Sequence, residues 1–466
     1  MLFNSLDFVI FLAVVLLAVR VAALRWRTWI LLLAGAVFYG WWDWRYLGLL
    51  GFNCLTAFTG GIRIADARTE REKRFWCGLS VVVCASLLGY FKYRGFFLEN
   101  LTALLTGLGL MSAARTIEFV LPVGVSFYTF QAIAYLVDVY RGVAPACRNL
   151  RDFLLFQTFF PQLVAGPIER TNHLLPQLQQ WRRVTPADIV EGLYLVLWGY
   201  CKKVVVADNL GLKVNRIFAQ DQWTAGDVVL AGVGFTFQAY ADFSGYTDIA
   251  RGVARWFGVT LFENFNFPYY ATSPQDFWRR WHMSLGSWLR DYLYIPLGGS
   301  RRGPVRTCLN LVITMLVGGL WHGAAWTYVV WGFYQGTILS LHRLYVAWRG
   351  ERRHSHLSRV ACIAGNFLLT AYGMFLFRSQ SWEQTCKGTA ALFGLELEPQ
   401  FWGQLLKMLP YCGLVLLVET PIFLTKNPWF YVRRHPLWVA AFFLFLFYLI
   451  LIMGVTGGDQ FIYFAF

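Results

Sequence analysis

His322 stands in GGLWHGAAW, residues 318–326, inside one of the most apolar stretches of the chain. Gly318, Gly319, Gly323, Ala324 and Ala325 crowd around it, with Trp321 and Trp326 on either side. An imidazole titrating near neutrality is the usual acceptor for the proton of a hydroxyl nucleophile, and such general-base help is worth roughly 10²–10⁴ in rate. An ionisable group at membrane depth is costly and faces a cavity or the bundle interior. A neutral histidine hydrogen-bonded between helices satisfies the same rule. The small neighbours leave room at the ring for another helix or for a narrow substrate.

Of the seven histidines, five (173, 342, 354, 356 and 435) lie in or near loops. His282 belongs to QDFWRRWHMSLGSWLRDYLYIPLGG, residues 275–299, which reads as an amphipathic helix at the membrane surface. Trp278, Trp281, Leu285, Trp288 and Tyr292 share one helical face, Arg279, Ser287 and Arg290 lie opposite, and His282 falls on the border. Pro296 and the Gly298–Gly299 pair stop the helix. A second polar group, YADFSGYTDIARG at 240–252, interrupts an apolar helix with Asp242, Ser244, Tyr246, Asp248 and Arg251. Asp248 and Arg251 are three apart and can pair on one face; the plainer reading is polar glue within a helix bundle. No phosphate-binding loop, nucleophile elbow, zinc-protease or haem motif occurs, which weighs against an ATP-driven pump and a soluble-type hydrolase. The nine scattered cysteines form neither a disulfide framework nor a metal site.

The elements that position these groups are membrane helices. Of 466 residues 57% are hydrophobic, 18% aromatic and only 14% charged, against about 25% charged in soluble domains. Mean hydropathy is +0.47. Apolar runs of roughly 17–25 residues recur from 3–20 to 436–454 and imply an all-α polytopic membrane protein with about eleven crossings. Several runs are short or broken by glycine, as re-entrant or tilted helices are. No internal repeat, linker or soluble domain interrupts the chain, so residues 1–466 read as one membrane domain, with a core at about 120–350 and a tail at 455–466. The first run lacks a basic flank and a cleavage site and reads as a retained helix. The formal charge of +15 belongs to cytoplasmic loops facing anionic lipid, with no nucleic-acid partner implied. A basic mouth also attracts an anionic cosubstrate such as a CoA thioester. Arg20, Arg25 and Arg27, the cluster Arg63 to Arg74, and Lys426, Arg433 and Arg434 mark cytoplasmic loops, which leaves both termini on the outer side.

The motifs LPVGVSFYTFQAIAYLVDVYRG, PQLVAGPIER, FSGYTDIARG, FWRRWHMSLGSWLRDYLYIPLGG and GLWHGAAWTYVVWG, after the opening MLFNSLDFVIFL, resemble in that order the membrane-bound O-acyltransferases (MBOAT). The likeness is to the bacterial branch that includes the alginate and peptidoglycan O-acetyltransferase membrane subunits and the D-alanyl transfer protein of teichoic acids. It implies a ring of helices around a thin centre, where a cytoplasmic and an outer funnel meet in a central tunnel at the histidine of the W-H-G motif, here His322. It places His282, forty positions earlier, as a second polar residue beside the carbonyl or the pantetheine arm. It implies an inner-membrane acetyltransferase taking acetyl from cytoplasmic acetyl-CoA, with no permanently bound cofactor. The acetyl group is for an exported polysaccharide (alginate-like, cellulose or peptidoglycan), with a periplasmic serine-esterase-like partner, the export machinery and membrane lipid as partners. Arg279, Arg280 and Arg290 are then candidates for CoA phosphates, or equally for lipid phosphates. The ending FIYFAF resembles a C-terminal acyl-relay motif, with Tyr463 as carrier. A phenol near pKa 10 leaves more readily than an alcohol, so a tyrosyl ester keeps transfer potential. Ala465, where relatives often carry a polar residue, departs from that pattern, and an aromatic tail also anchors at an interface. Two other readings stand beside this one: D-alanyl or other acyl transfer from a carrier protein, and proton-coupled secondary transport through His322. A transporter should show paired broken helices, of which the sequence offers one and no repeat.

Overall fold

The structure is a computed structural model and describes residues 1–110, 122–164, 166–350, 355–455 and 461. Tyr463, the expected acyl carrier, lies outside the described residues. All regular structure among the described residues is helical, as the apolar periodicity requires.

The chain forms two compact units, Met1–Asp188 with Val253–Phe262, and Ile189–Gly252 with Glu263–Phe466. The first contains α1 (Leu6–Val21), α2 (Leu24–Asp43), α3 (Tyr46–Asp66) and α4 (Glu70–Leu88), then α5 (Arg94–Gly107), α6 (Val125–Tyr140), α7 (Leu150–Thr158), α8 (Phe160–Leu163) and α9 (Thr171–Gln179). Its core gathers Phe3, Phe8, Phe38 and Phe160, with ring centroids 4.7–6.1 Å apart for the neighbouring pairs Phe3–Phe8, Phe38–Phe160 and Phe8–Phe38. Glu169, from the PQLVAGPIER segment, is fully buried. Its carboxylate accepts the Phe262 N–H at 2.6 Å and meets His173 Nδ1 at 2.6 Å. That segment therefore holds two stretches of the first unit together.

The second unit takes in α10 (Pro186–Tyr200) from Ile189, α11 (Asp208–Phe218), α12 (Ala225–Trp256) as far as Gly252, and then α13 (Pro274–Trp278), α14 (Met283–Leu289), α15 (Gly303–His322) and α16 (Trp326–Arg349). The series ends with α17 (His356–Arg378), α18 (Trp382–Gly394), α19 (Phe401–Thr425) and α20 (Pro436–Met453). His342 sits inside α16, not in a loop. Six helical stretches among the described residues are long and apolar enough to cross a bilayer: Tyr46–Asp66, Glu70–Gly107, α15, α17, α19 and α20. The expectation of about eleven also included helices outside this measure. One is α1, only 16 residues long, and another is α12, which carries Asp242, Asp248 and Arg251 in its apolar part.

Small residues set the helix spacing in the second unit. A Cβ on Gly319 would collide with the Tyr328 carbonyl oxygen, one on Gly332 with the Met315 carbonyl oxygen, and one on Gly336 would come within 2.7 Å of Val312 Cα. α15 and α16 therefore touch backbone to backbone, the contact that glycine permits between membrane helices. Gly319→Ala is expected to destabilise the protein by about 1–3 kcal/mol, the range for overpacking a fitted contact. A lowered thermal midpoint of the purified protein checks it; an unchanged midpoint would show that the helices part freely.

Candidate active site

His322 is the last residue of α15, with Gly323 capping the helix in an extended conformation. The imidazole is 4% exposed. Three rings meet it edge-on: Trp321 with centroids 5.0 Å apart, Trp331 at 5.2 Å and Phe377 at 5.1 Å. The small residues around it do the packing work anticipated for them, since a Cβ on Gly323 would strike the Tyr328 ring. The plane of α16 thus closes directly on the histidine.

The segment around His282 departs from the single amphipathic helix read from its periodicity. α13 ends at Trp278, α14 starts at Met283, and a π-helical turn, Arg290–Tyr294, follows. The break falls at His282, whose backbone lies in the left-handed region at φ 42°, ψ 56°. That conformation costs a non-glycine residue about 1–2 kcal/mol and persists only where the surroundings impose it. His282 is not on the border of a wet face either: it is 1% exposed. Its ring packs against Phe243 at 4.6 Å and against Trp321 at 5.6 Å. The Trp321 indole therefore touches both histidines. Burial pushes the His282 imidazole down to about 3, so the ring is uncharged at physiological pH and presents a lone pair.

The three arginines do not join this cluster. Arg279 is exposed. Arg280 binds Asp276 at 2.8 Å, and Arg290, also exposed, binds Asp291 at 2.7 Å.

A cavity of about 90 Å³ is bordered by Lys202, Tyr240, Ser244, Asp248, Asn264 and Glu419, among others. Neither histidine is in its described lining. Its charges are matched inside the unit. Lys202 Nζ binds Asp248 at 2.5 Å, Asp248 binds Arg251 at 3.2 Å as the three-residue spacing implied, and Arg251 binds Glu263 at 2.6 Å. The Tyr240 hydroxyl donates to the Glu419 carboxylate, 2.8 and 2.9 Å from its two oxygens. The next residue of the chain, Lys203, turns elsewhere and binds Asp208 at 2.9 Å and Asp242 at 2.7 Å. Both lysines belong to the π-helical turn Cys201–Ala207. FSGYTDIARG does not interrupt its helix: α12 runs unbroken for 32 residues, because lysines facing it neutralise its aspartates.

The model of the MBOAT, membrane-bound O-acyltransferase family, matches residues 147–379. The chain is 41% identical over 396 residues to a probable alginate O-acetylase of Azotobacter vinelandii, covering 84% of this chain and 78% of that protein. The chain belongs to the membrane-bound O-acyltransferase family. It is accordingly a membrane enzyme that transfers acyl groups to oxygen. Identity is 35% to a peptidoglycan O-acetyltransferase of Helicobacter pylori, over 78% of this chain and 73% of that one. It is 26% to a teichoic acid D-alanyltransferase of Bacillus subtilis, over 54% and 68%. His282 and His322 fall within the matched family region, whereas Glu419 lies beyond it.

Lys202, Lys203, Asn264 and Glu419 were not singled out from the sequence. The first two and Glu419 were nonetheless visible as ionisable residues inside apolar runs, 189–207 and 405–424, where burial demands a partner. Asn264 carried no such signal, because an uncharged residue in a loop is ordinary.

Proposed function

We propose that the protein is an acetyltransferase of the bacterial inner membrane that moves acetyl from cytoplasmic acetyl-CoA outward, for O-acetylation of an exported polysaccharide such as alginate, cellulose or peptidoglycan. The observation that carries this reading is the pair of buried imidazoles sharing the Trp321 indole within an acyltransferase fold. In the reaction the hydroxyl oxygen bonds to the thioester carbonyl carbon and the carbon–sulfur bond breaks. His322 takes the hydroxyl proton and returns it to the leaving thiolate, so no proton is gained or lost overall. His282, neutral and acceptor-bearing, orients the hydroxyl or the pantetheine arm. Arg279, exposed, meets phosphate with Arg280 and Arg290 at the periphery. The distribution of basic loops supports a donor side in the cytoplasm and both termini in the periplasm. Tyr463 carries the acetyl group onward to a periplasmic serine-esterase-like partner, which completes the transfer beside the export machinery.

The test is to incubate purified protein with labelled acetyl-CoA, follow free thiol, and map the label by mass spectrometry. Acetyl on Tyr463 and turnover lost in Tyr463→Phe are the expected results. Full activity in Tyr463→Phe with no label there removes the relay. Turnover of an aminoacylated carrier protein in place of acetyl-CoA establishes the D-alanyl reading. Solute uptake with no acyl consumption establishes transport.

A further inference from the structure

His282 holds a backbone conformation that its own sequence disfavours, and the strand of chain that imposes it lies 18 residues earlier. The Asn264 carbonyl oxygen accepts the Met283 N–H at 2.9 Å. The Asn264 side-chain Oδ1 accepts the Ser284 N–H at 3.2 Å. On the other side of His282, the Asn266 N–H donates to the Arg280 carbonyl at 2.9 Å. Residues 264–266 thus grip the chain immediately before and after the left-handed residue. Phe265, between the two asparagines, packs its ring against Trp281 at 5.1 Å and Phe243 at 5.1 Å, and Phe243 is the ring that faces the His282 imidazole.

Asn264 is 1% exposed. Its side-chain Oδ1 supplies the hydrogen bond in this grip that reaches the first turn of α14, and a substitution can delete it without cutting the backbone. We propose that Asn264 is the positioning residue for His282: by anchoring the first turn of α14 it fixes the imidazole against Trp321. Without the Oδ1 acceptor, residues 282–284 relax toward an ordinary backbone, the Cβ of His282 turns, and the ring leaves the indole that it shares with His322. The inference rests on the role given to His282 above.

The experiment compares Asn264→Ala, Asn264→Asp, His282→Ala and the double variant in lipid nanodiscs, measuring acetyl-CoA turnover, donor KM and thermal midpoint. Asn264→Ala is expected to lower kcat by about ten- to a hundredfold, the effect of a misplacement of about 1 Å, with donor KM within about twofold. Asn264→Asp keeps the Oδ1 acceptor and replaces Nδ2, which has no hydrogen-bond partner among the described residues, by a second oxygen; despite the cost of burying a carboxylate it recovers kcat relative to Asn264→Ala. The double variant is no slower than His282→Ala, because a displaced ring and an absent one are equivalent. If Asn264→Ala does not yield folded protein, Asn264→Gln, which shifts the amide by one methylene, carries the same comparison. Unchanged kcat in Asn264→Ala, or losses that multiply in the double variant, would overturn the inference while leaving the role of His282 intact. Full activity in His282→Ala would remove that role and the inference together.

Discussion

His322→Ala is expected to lower acyl turnover by about 10²–10⁴ while the protein still purifies as a folded species. The expectation follows from where the ring sits. It ends α15, it is 4% exposed, and three aromatic rings meet it edge-on. Alanine leaves those rings in place and removes the group able to exchange a proton with a hydroxyl. Loss of the ring also costs packing, so turnover must be read per folded molecule, with thiol release as the assay. A loss confined to stability, with turnover per folded molecule unchanged, would reduce His322 to a packing residue and remove general-base chemistry from this site. His322→Gln supplies the complementary comparison, since it offers hydrogen bonds but no useful base; it should be about as slow as alanine.

Lys203→Met is expected to cost about 3–5 kcal/mol, the largest stability loss of any substitution considered. The ammonium is 1% exposed and sits 2.9 Å from Asp208 and 2.7 Å from Asp242. Methionine fills the volume but abandons two buried carboxylates to each other, and removing one partner of a buried ion set strands the remaining charge. The measurement is the thermal midpoint, or the yield of monodisperse protein. Replacing Asp208 and Asp242 by asparagine in the same chain should recover much of the loss, since no stranded charge is then left. Failure of that triple variant to recover would mean that packing around residue 203, and not charge, limits stability.

How far these features could be read from the residues depends on whether their causes are local. His322 was legible because its glycines, its tryptophans and its imidazole are contiguous. The all-helical membrane architecture was legible from apolar runs alone. The segment 275–299 was misread as one helix because its periodicity is intact through 282; the break is imposed by hydrogen bonds from 264 and 266, which no local pattern announces. Asp242 and Asp248 looked like an interruption for a related reason. Their cost is removed by Lys203 and Lys202, about forty residues away in the chain, and α12 continues through both. Arg280 and Arg290, candidates for CoA or lipid phosphates, have carboxylate partners, Asp276 and Asp291, on their own segment.

The widened turn at Cys201–Ala207 makes chain length there as binding as chemistry. Adjacent residues on an α-helix point about 100° apart, and the turn lets neighbouring ammonium groups answer carboxylates on two different stretches of α12 and α11. Deleting one residue between 201 and 207 would straighten the coil into ordinary pitch and rotate one lysine away from its aspartates. Homologous chains should therefore vary in the composition of this stretch far more readily than in its number of residues.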